Sequence, residues 1–304
     1  MFDFFKYEKL NILDSIELSK QFMPDGLDYD EHMATCISAK HGRSIAVKKD
    51  NYNWILIKGG GWNYNGPALY RSSKDAELFF GLFDEKSAIR ELKVRKALKN
   101  LSNEFPKVLY YKKFEDYNLP KDYEFLKTVK YTNGEFVKPC LLYTQVKTPL
   151  RVADIPFFKD EYKQEIIEIY SNYWNVQPKY FVDTFIKVLA KHVGIMHKNG
   201  FINDTLEYSN VTLLGEIIDY EWITAPNILL PDGSMGDIIQ YERKEKEIFY
   251  AVEVVILLKS MLYQDYSLFD IYETFIAEYR KYNNEYIESN ENIGKILNKE
   301  RFIL

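Results

Sequence analysis

Lys58 is followed by Gly59, Gly60 and Gly61 at the end of the apolar run Trp54-Ile55-Leu56-Ile57. Such a run reads as a buried strand. Glycines let backbone N–H groups approach anionic oxygens, and a lysine adds a point charge, so the stretch has the chemistry of a polyphosphate cradle. The same residues also suit an ordinary glycine turn after a strand. Farther along, two apolar runs flank Gly215 between Asn210 and Asp219. With Leu214 and Gly215 as the loop, Asn210 and Asp219 face each other across a hairpin, with Cβ atoms roughly 5 Å apart. An amide oxygen and a carboxylate at that spacing can share a magnesium ion, which takes a few hard oxygen ligands and fills the rest with phosphate and water. A one-residue shift of the loop breaks this pairing, and Asn and Asp are also common turn formers. Glu91 has the charge and reach to hold Lys58 by an ion pair, or to make an exposed i,i+4 pair with Arg95. Arg151 can fork onto phosphate oxygens or stand solvated on the surface.

Secondary elements must bring these side chains together. Ser44 to Val47 and Trp54 to Lys58 flank the turn-rich Asp50-Asn51-Tyr52-Asn53, which predicts an antiparallel pair. Asp84 is a good N-cap for a helix through about Asn100, with Ile89, Leu92, Ala97 and Leu98 as its apolar face. Further strands are expected at Lys107 to Tyr111 and Cys140 to Val146. Helical spacing covers Glu161 to Tyr173, Pro178 to Asn199, Lys244 to Tyr263 and Leu268 to Glu288, with a β-like stretch from Val211 to Asp219. The expectation is an α+β chain with a strand-rich N-terminal lobe, residues 1–148, and a helical C-terminal lobe, residues 149–304. The ligand then lies in the cleft between them.

The chain has 304 residues, 46% hydrophobic and 28% charged, with a formal net charge of −5. The acidic balance, with basic residues scattered among acidic ones, argues against a nucleic-acid partner. No apolar run reaches the ~20 residues that span a bilayer. Neither a membrane partner nor a signal peptide is expected, and the expected location is the cytoplasm. Cys36 and Cys140 form no disulfide framework or metal motif and are expected to be small buried hydrophobes. His192 and His197 stand five residues apart on a helix, the wrong spacing for a zinc pair. His197, near the helix C-terminus, suits the helix dipole.

Four motifs, in order, carry a resemblance. Leu56-Ile57-Lys58-Gly59-Gly60-Gly61 is similar to a Leu-Lys-Gly-Ala-Gly loop, and Ile89-Arg90-Glu91-Leu92 to an Ile-Arg-Glu-Phe helix motif. Tyr143-Thr144-Gln145-Val146 with Leu150-Arg151 is similar to Thr-Arg-Val followed by Leu-Arg. Gly200-Phe201, Ser209-Asn210 and Ile218-Asp219-Tyr220 follow a Gly-Phe, Asp-Asn, Ile-Asp-Tyr-Gly pattern. Together these residues resemble the selenoprotein-O family of protein adenylyltransferases, over roughly Ile45 to Leu262. The resemblance implies a bilobal, protein-kinase-like fold in which ATP binds in a flipped orientation and AMP passes to an acceptor. It implies ATP and magnesium, with manganese as the alternative cation. It gives Lys58 and Gly59 to Gly61 a phosphate-binding role, Glu91 a supporting one, and Arg151 a phosphate contact. Asn210 and Asp219 become the metal ligands.

Three departures bear on chemistry. Ser209 stands where the family has aspartate, and serine cannot serve as a carboxylate base; Asp204 and Glu207 are the nearest substitutes. Gln145 replaces an arginine and removes a phosphate-facing charge. Glu221 replaces the glycine after Asp-Tyr. The functional expectation is therefore AMP transfer to a protein or small-molecule acceptor. The alternatives are phosphoryl transfer on the same fold and a nucleotide-binding scaffold without catalysis.

Overall fold

The turn at Asn51 and Tyr52 joins β2 (Ser44–Asp50) to β3 (Asn53–Lys58) as an antiparallel pair. Asp50 secures it by accepting hydrogen bonds from the backbone of Tyr52 and the amide of Asn53. The computed structural model describes residues 34–36, 44–59, 68–71, 77–80, 83–117, 136, 138–203, 206–230, 241–262 and 265–284. β1 (Ala34–Cys36) lies outside β2. β4 (Ala68–Arg71) and β5 (Glu77–Phe80) form a separate hairpin in the stretch between the glycine run and the first described helix. β6 (Phe83–Asp84) leads directly into α1 (Glu85–Leu101). β7 (Lys107–Lys113) and β8 (Pro139–Val146) complete a six-stranded antiparallel sheet in which β8 pairs with β3, β6 and β7.

Asp84 caps α1 as its chemistry suggests, accepting the backbone N–H of Lys86 at 2.8 Å. The buried face of α1 differs from the expected apolar stripe. Ala88, Val94 and Leu98 are buried, whereas Ile89, Leu92 and Ala97 are only partly so. Arg90, Glu91 and Arg95 are buried instead. Partnered charge, not hydrophobicity alone, sets the rotation of this helix.

After β8 the chain runs through a 3₁₀ turn (Val152–Phe157) into α2 (Asp160–Trp174), α3 (Phe181–Lys198), α4 (Tyr241–Met261) and α5 (Leu268–Tyr282). A further 3₁₀ turn (Pro178–Tyr180) precedes α3, so the expected helix from Pro178 starts as a tighter coil. α5 stops earlier than its spacing suggests: Asn283 is extended, and its amide donates to the Tyr279 hydroxyl at 2.6 Å. One cluster of buried side chains runs from Ala46, Trp54 and Leu56 through Val94 and Leu98 to Phe185, Phe275 and Ile276. Sheet and helices therefore share a core. None of the described helices is long and apolar enough to cross a membrane.

Cys140 is buried at the centre of the sheet, and burial, reinforced by Asp84, pushes its thiol well above the usual range. The side chain of Cys36 lies outside the described residues. His197 is tied down by more than a helix end. Its Nε2 lies 3.0 Å from Glu247 and its Nδ1 3.0 Å from the Tyr279 hydroxyl, all of it buried.

Candidate functional site

Lys58 is the last residue of β3, and strand alternation puts it on the same face as Leu56. Glu91 lies in the second turn of α1, which packs along this sheet. Their side chains meet: Lys58 Nζ donates to Glu91 Oε2 at 2.9 Å. The other Glu91 oxygen, Oε1, accepts Arg95 Nε at 2.8 Å, and Arg95 stacks over the Tyr220 ring at 4.3 Å. Glu91 is thus shared between Lys58 and Arg95, both alternatives raised by its sequence position. Burial is the largest influence on its carboxyl and opposes ionisation. Lys58 and then Arg95 outweigh it, so its pKa lies below the ordinary range.

The third member arrives from far along the chain. Asp219 Oδ1 accepts Lys58 Nζ at 2.7 Å. Its backbone has φ of +67°, in the left-handed region where Asp and Asn are the better-tolerated non-glycine residues. Such a conformation at a charged cleft residue is local strain of the kind found at functional sites. The register of its hairpin also differs from the expected one. Val211 pairs with Ile217, and the Ile218 N–H donates to the Asn210 carbonyl at 2.8 Å. Asn210 therefore stands opposite Ile218 rather than Asp219, one residue off the expected pairing. The turn runs from Thr212 to Glu216, with Gly215 at φ +71° against Val188.

A small cleft with room of about 30 Å³ opens over these residues. Ser44, Leu56, Lys58 and Thr144 line it from the sheet, Glu91 and Arg95 from α1, and Arg151, Ile218 and Asp219 from the segments beyond β8. That space holds only a water or two, so a ligand of nucleotide size enters only if the cleft widens. Arg151 is buried in the cleft lining, and its guanidinium donates to the Ser209 carbonyl at 3.0 Å. Asn210 is buried but is absent from the cleft lining, and its N–H donates to the Glu207 carbonyl.

Some expected residues stand elsewhere. Gln145 pairs with Ile55, on the sheet face opposite Lys58, and its amide donates to Asn53 at 2.6 Å. Glu207 is exposed and is absent from the cleft lining. Its charge, after burial, raises the pKa of Glu253 on α4. Asp204, Gly60 and Gly61 lie outside the described residues. Gly59 has φ of +94°, and a Cβ there would strike the Cys140 carbonyl and Phe83. That glycine is required by the chain's own turn.

Other residues complete the site. Arg90 donates to the backbone carbonyls of Tyr220, Glu221, Ile223 and Leu229. Ser87 donates its hydroxyl to Glu221 at 2.8 Å, and the second oxygen of Glu221 lies 3.7 Å from Lys58. Ser87, Arg90, Glu91 and Arg95 share one face of α1, so a polar stripe at helical spacing on a buried helix is the signal that could have found them. Among the described residues, no cluster of three or more His, Cys, Asp or Glu side chains is arranged for a metal. The donor set instead suits a hard cation held by one or two carboxylates together with phosphate. No family model matches the chain, and no curated protein matches it.

Proposed function

We propose that the cleft binds ATP with magnesium and that the chain is a transferase that moves AMP to a protein or small-molecule acceptor. One observation carries this reading: Lys58 Nζ sits between Glu91 at 2.9 Å and Asp219 at 2.7 Å on a cleft wall. A strand lysine paired to a helix glutamate, beside a metal-binding aspartate, is the arrangement with which kinase-like enzymes hold a nucleotide. The preference for AMP over phosphoryl transfer comes from the motif resemblance.

In this reading Glu91 and Arg95 hold Lys58 extended toward the phosphates. Lys58 and Arg151 neutralise phosphate oxygens. Asp219 holds the cation, with Asn210 behind it, and the cation supplies further charge neutralisation. Transfer of this kind depends on positioning and electrostatics more than on covalent help from the protein, so Ser209 is compatible with it when the acceptor is already nucleophilic.

A scaffold without catalysis is the second reading, favoured by Glu207 standing outside the cleft lining and Gln145 facing away. Two measurements separate the readings. Saturating Mg-ATP should raise thermal stability, by about 2.7 kcal/mol at a hundred times Kd, and Asp219→Ala should abolish the effect. The chain is also incubated with a mixture of protein acceptors and ATP labelled at the α- or γ-phosphate. Label retained from the α-position supports AMP transfer. Label from the γ-position alone would replace it with phosphoryl transfer, and stabilisation without label leaves the scaffold. No stabilisation by Mg-ATP would sink all three.

A further inference from the structure

Resting on the nucleotide reading above, we infer that Glu221 makes this cleft selective for a polyphosphate that carries its own divalent cation, against the same polyphosphate without one. Glu221 is not a loose surface acid. α1 holds it twice: Arg90 takes its backbone carbonyl, and Ser87 donates to its Oε1 at 2.8 Å. The second carboxylate oxygen is thereby aimed at Lys58 Nζ, 3.7 Å away. Ser87 lies one turn before Glu91, so one helix face presents two carboxylates to a single ammonium, one directly and one through a hydroxyl.

The consequence is electrostatic. Lys58, Arg90, Arg95 and Arg151 provide four positive charges, and Glu91, Asp219 and Glu221 provide three negative ones. The local sum is +1. Lys58 already has Glu91 at 2.9 Å and Asp219 at 2.7 Å, so the longer Glu221 contact adds little to its anchoring. What Glu221 adds is field. An uncomplexed triphosphate approaching Lys58 meets little net attraction and competes with two partly accessible carboxylates. A triphosphate bearing a divalent cation turns those carboxylates from repulsive into attractive neighbours. Removing the Glu221 charge alone makes the cleft one unit more positive and relaxes the discrimination.

The test is calorimetric titration with inorganic tripolyphosphate, once in chelator and once with excess magnesium. It compares the unmodified chain with Glu221→Gln, after circular dichroism and thermal unfolding establish that both fold. The quantity read is the ratio of the two dissociation constants. Glu221→Gln should lower that ratio on the order of tenfold, as expected for one unit charge a few ångströms from a polyanion. Ser87→Ala, which removes only the hydroxyl tether, should lower it less and in the same direction. An unchanged ratio in Glu221→Gln, with both forms of the probe still binding the unmodified chain, overturns this inference and leaves the nucleotide reading standing. No binding of either form to the unmodified chain overturns both.

Discussion

Lys58, Glu91 and Asp219 lie 33 and 161 residues apart along the chain and meet at hydrogen-bonding distance. The pairing of Glu91 with Lys58 or Arg95 was legible in the sequence; the direct contact of Lys58 with Asp219 was not. Glu91 is fully buried between two cations, so the pair is a structural element as well as a candidate phosphate-binding one. Taking away one member of a buried charge group leaves the others uncompensated. Glu91→Ala should therefore destabilise the protein by about 3–5 kcal/mol in urea denaturation, because Arg95 loses its buried acceptor. A loss below about 1 kcal/mol would mean that Arg95 finds water or another partner at no cost. Gln145 teaches the converse. Its position beside Thr144 put it near the cleft in sequence, yet strand alternation turned it to the opposite face.

Elements were more legible than their orientation. Asp84 and the turn at Asp50 mark boundaries through local hydrogen bonds, which depend on a few neighbouring residues. The face of α1 that turns inward depends on what waits there. Arg90 finds four carbonyls and Glu91 two cations, and these outweigh the pull of Ile89 and Leu92. The hairpin around Gly215 was recognisable as a turn, while its register was undetermined, since Asn210 and Asp219 differ by one position from direct opposition. Gly59 tests the junction of β3 with the rest of the sheet. Gly59→Ala should cost at least about 2 kcal/mol, from the positive φ and the close approach to Cys140 and Phe83. A variant of unaltered stability would mean that the β3 end can relax.

At the scale of the whole molecule, Glu216 joins the hairpin around Gly215 to the chain leaving the sheet. Its Oε2 accepts the Lys147 N–H at 2.9 Å, directly after β8. Burial is the dominant influence and raises its pKa from 4.5 to about 7. Lys147 and the backbone N–H groups of Lys147 and Thr148 oppose that rise. The folded form keeps its proton to about pH 7, whereas the unfolded chain releases it near 4.5. The folded state thus binds more protons between those values, and stability falls as pH rises through them. The loss is absent below the lower value and complete above the higher one, and it amounts to at most on the order of 3 kcal/mol. Melting temperatures from pH 4 to 8 should fall less steeply for Glu216→Gln than for the unmodified chain; parallel curves would exclude this role.

The amino-acid sequence by itself placed the β2–β3 pair, β7, β8 and the main helices to within a few residues, though not β1, β4, β5 or β6, and it identified a lysine, a glutamate and an aspartate with the chemistry for a polyphosphate and its cation. Caps, turn residues and periodicity act over a few positions, so they can be read without knowing the rest of the chain. Tertiary structure alone decided the hairpin register, the inward face of α1, the outward turn of Gln145 and the seating of Glu221 against Ser87 and Lys58. Each of those depends on pairing groups from distant segments, where burial makes every unmet charge or hydrogen bond costly and one packed arrangement satisfies most of them together.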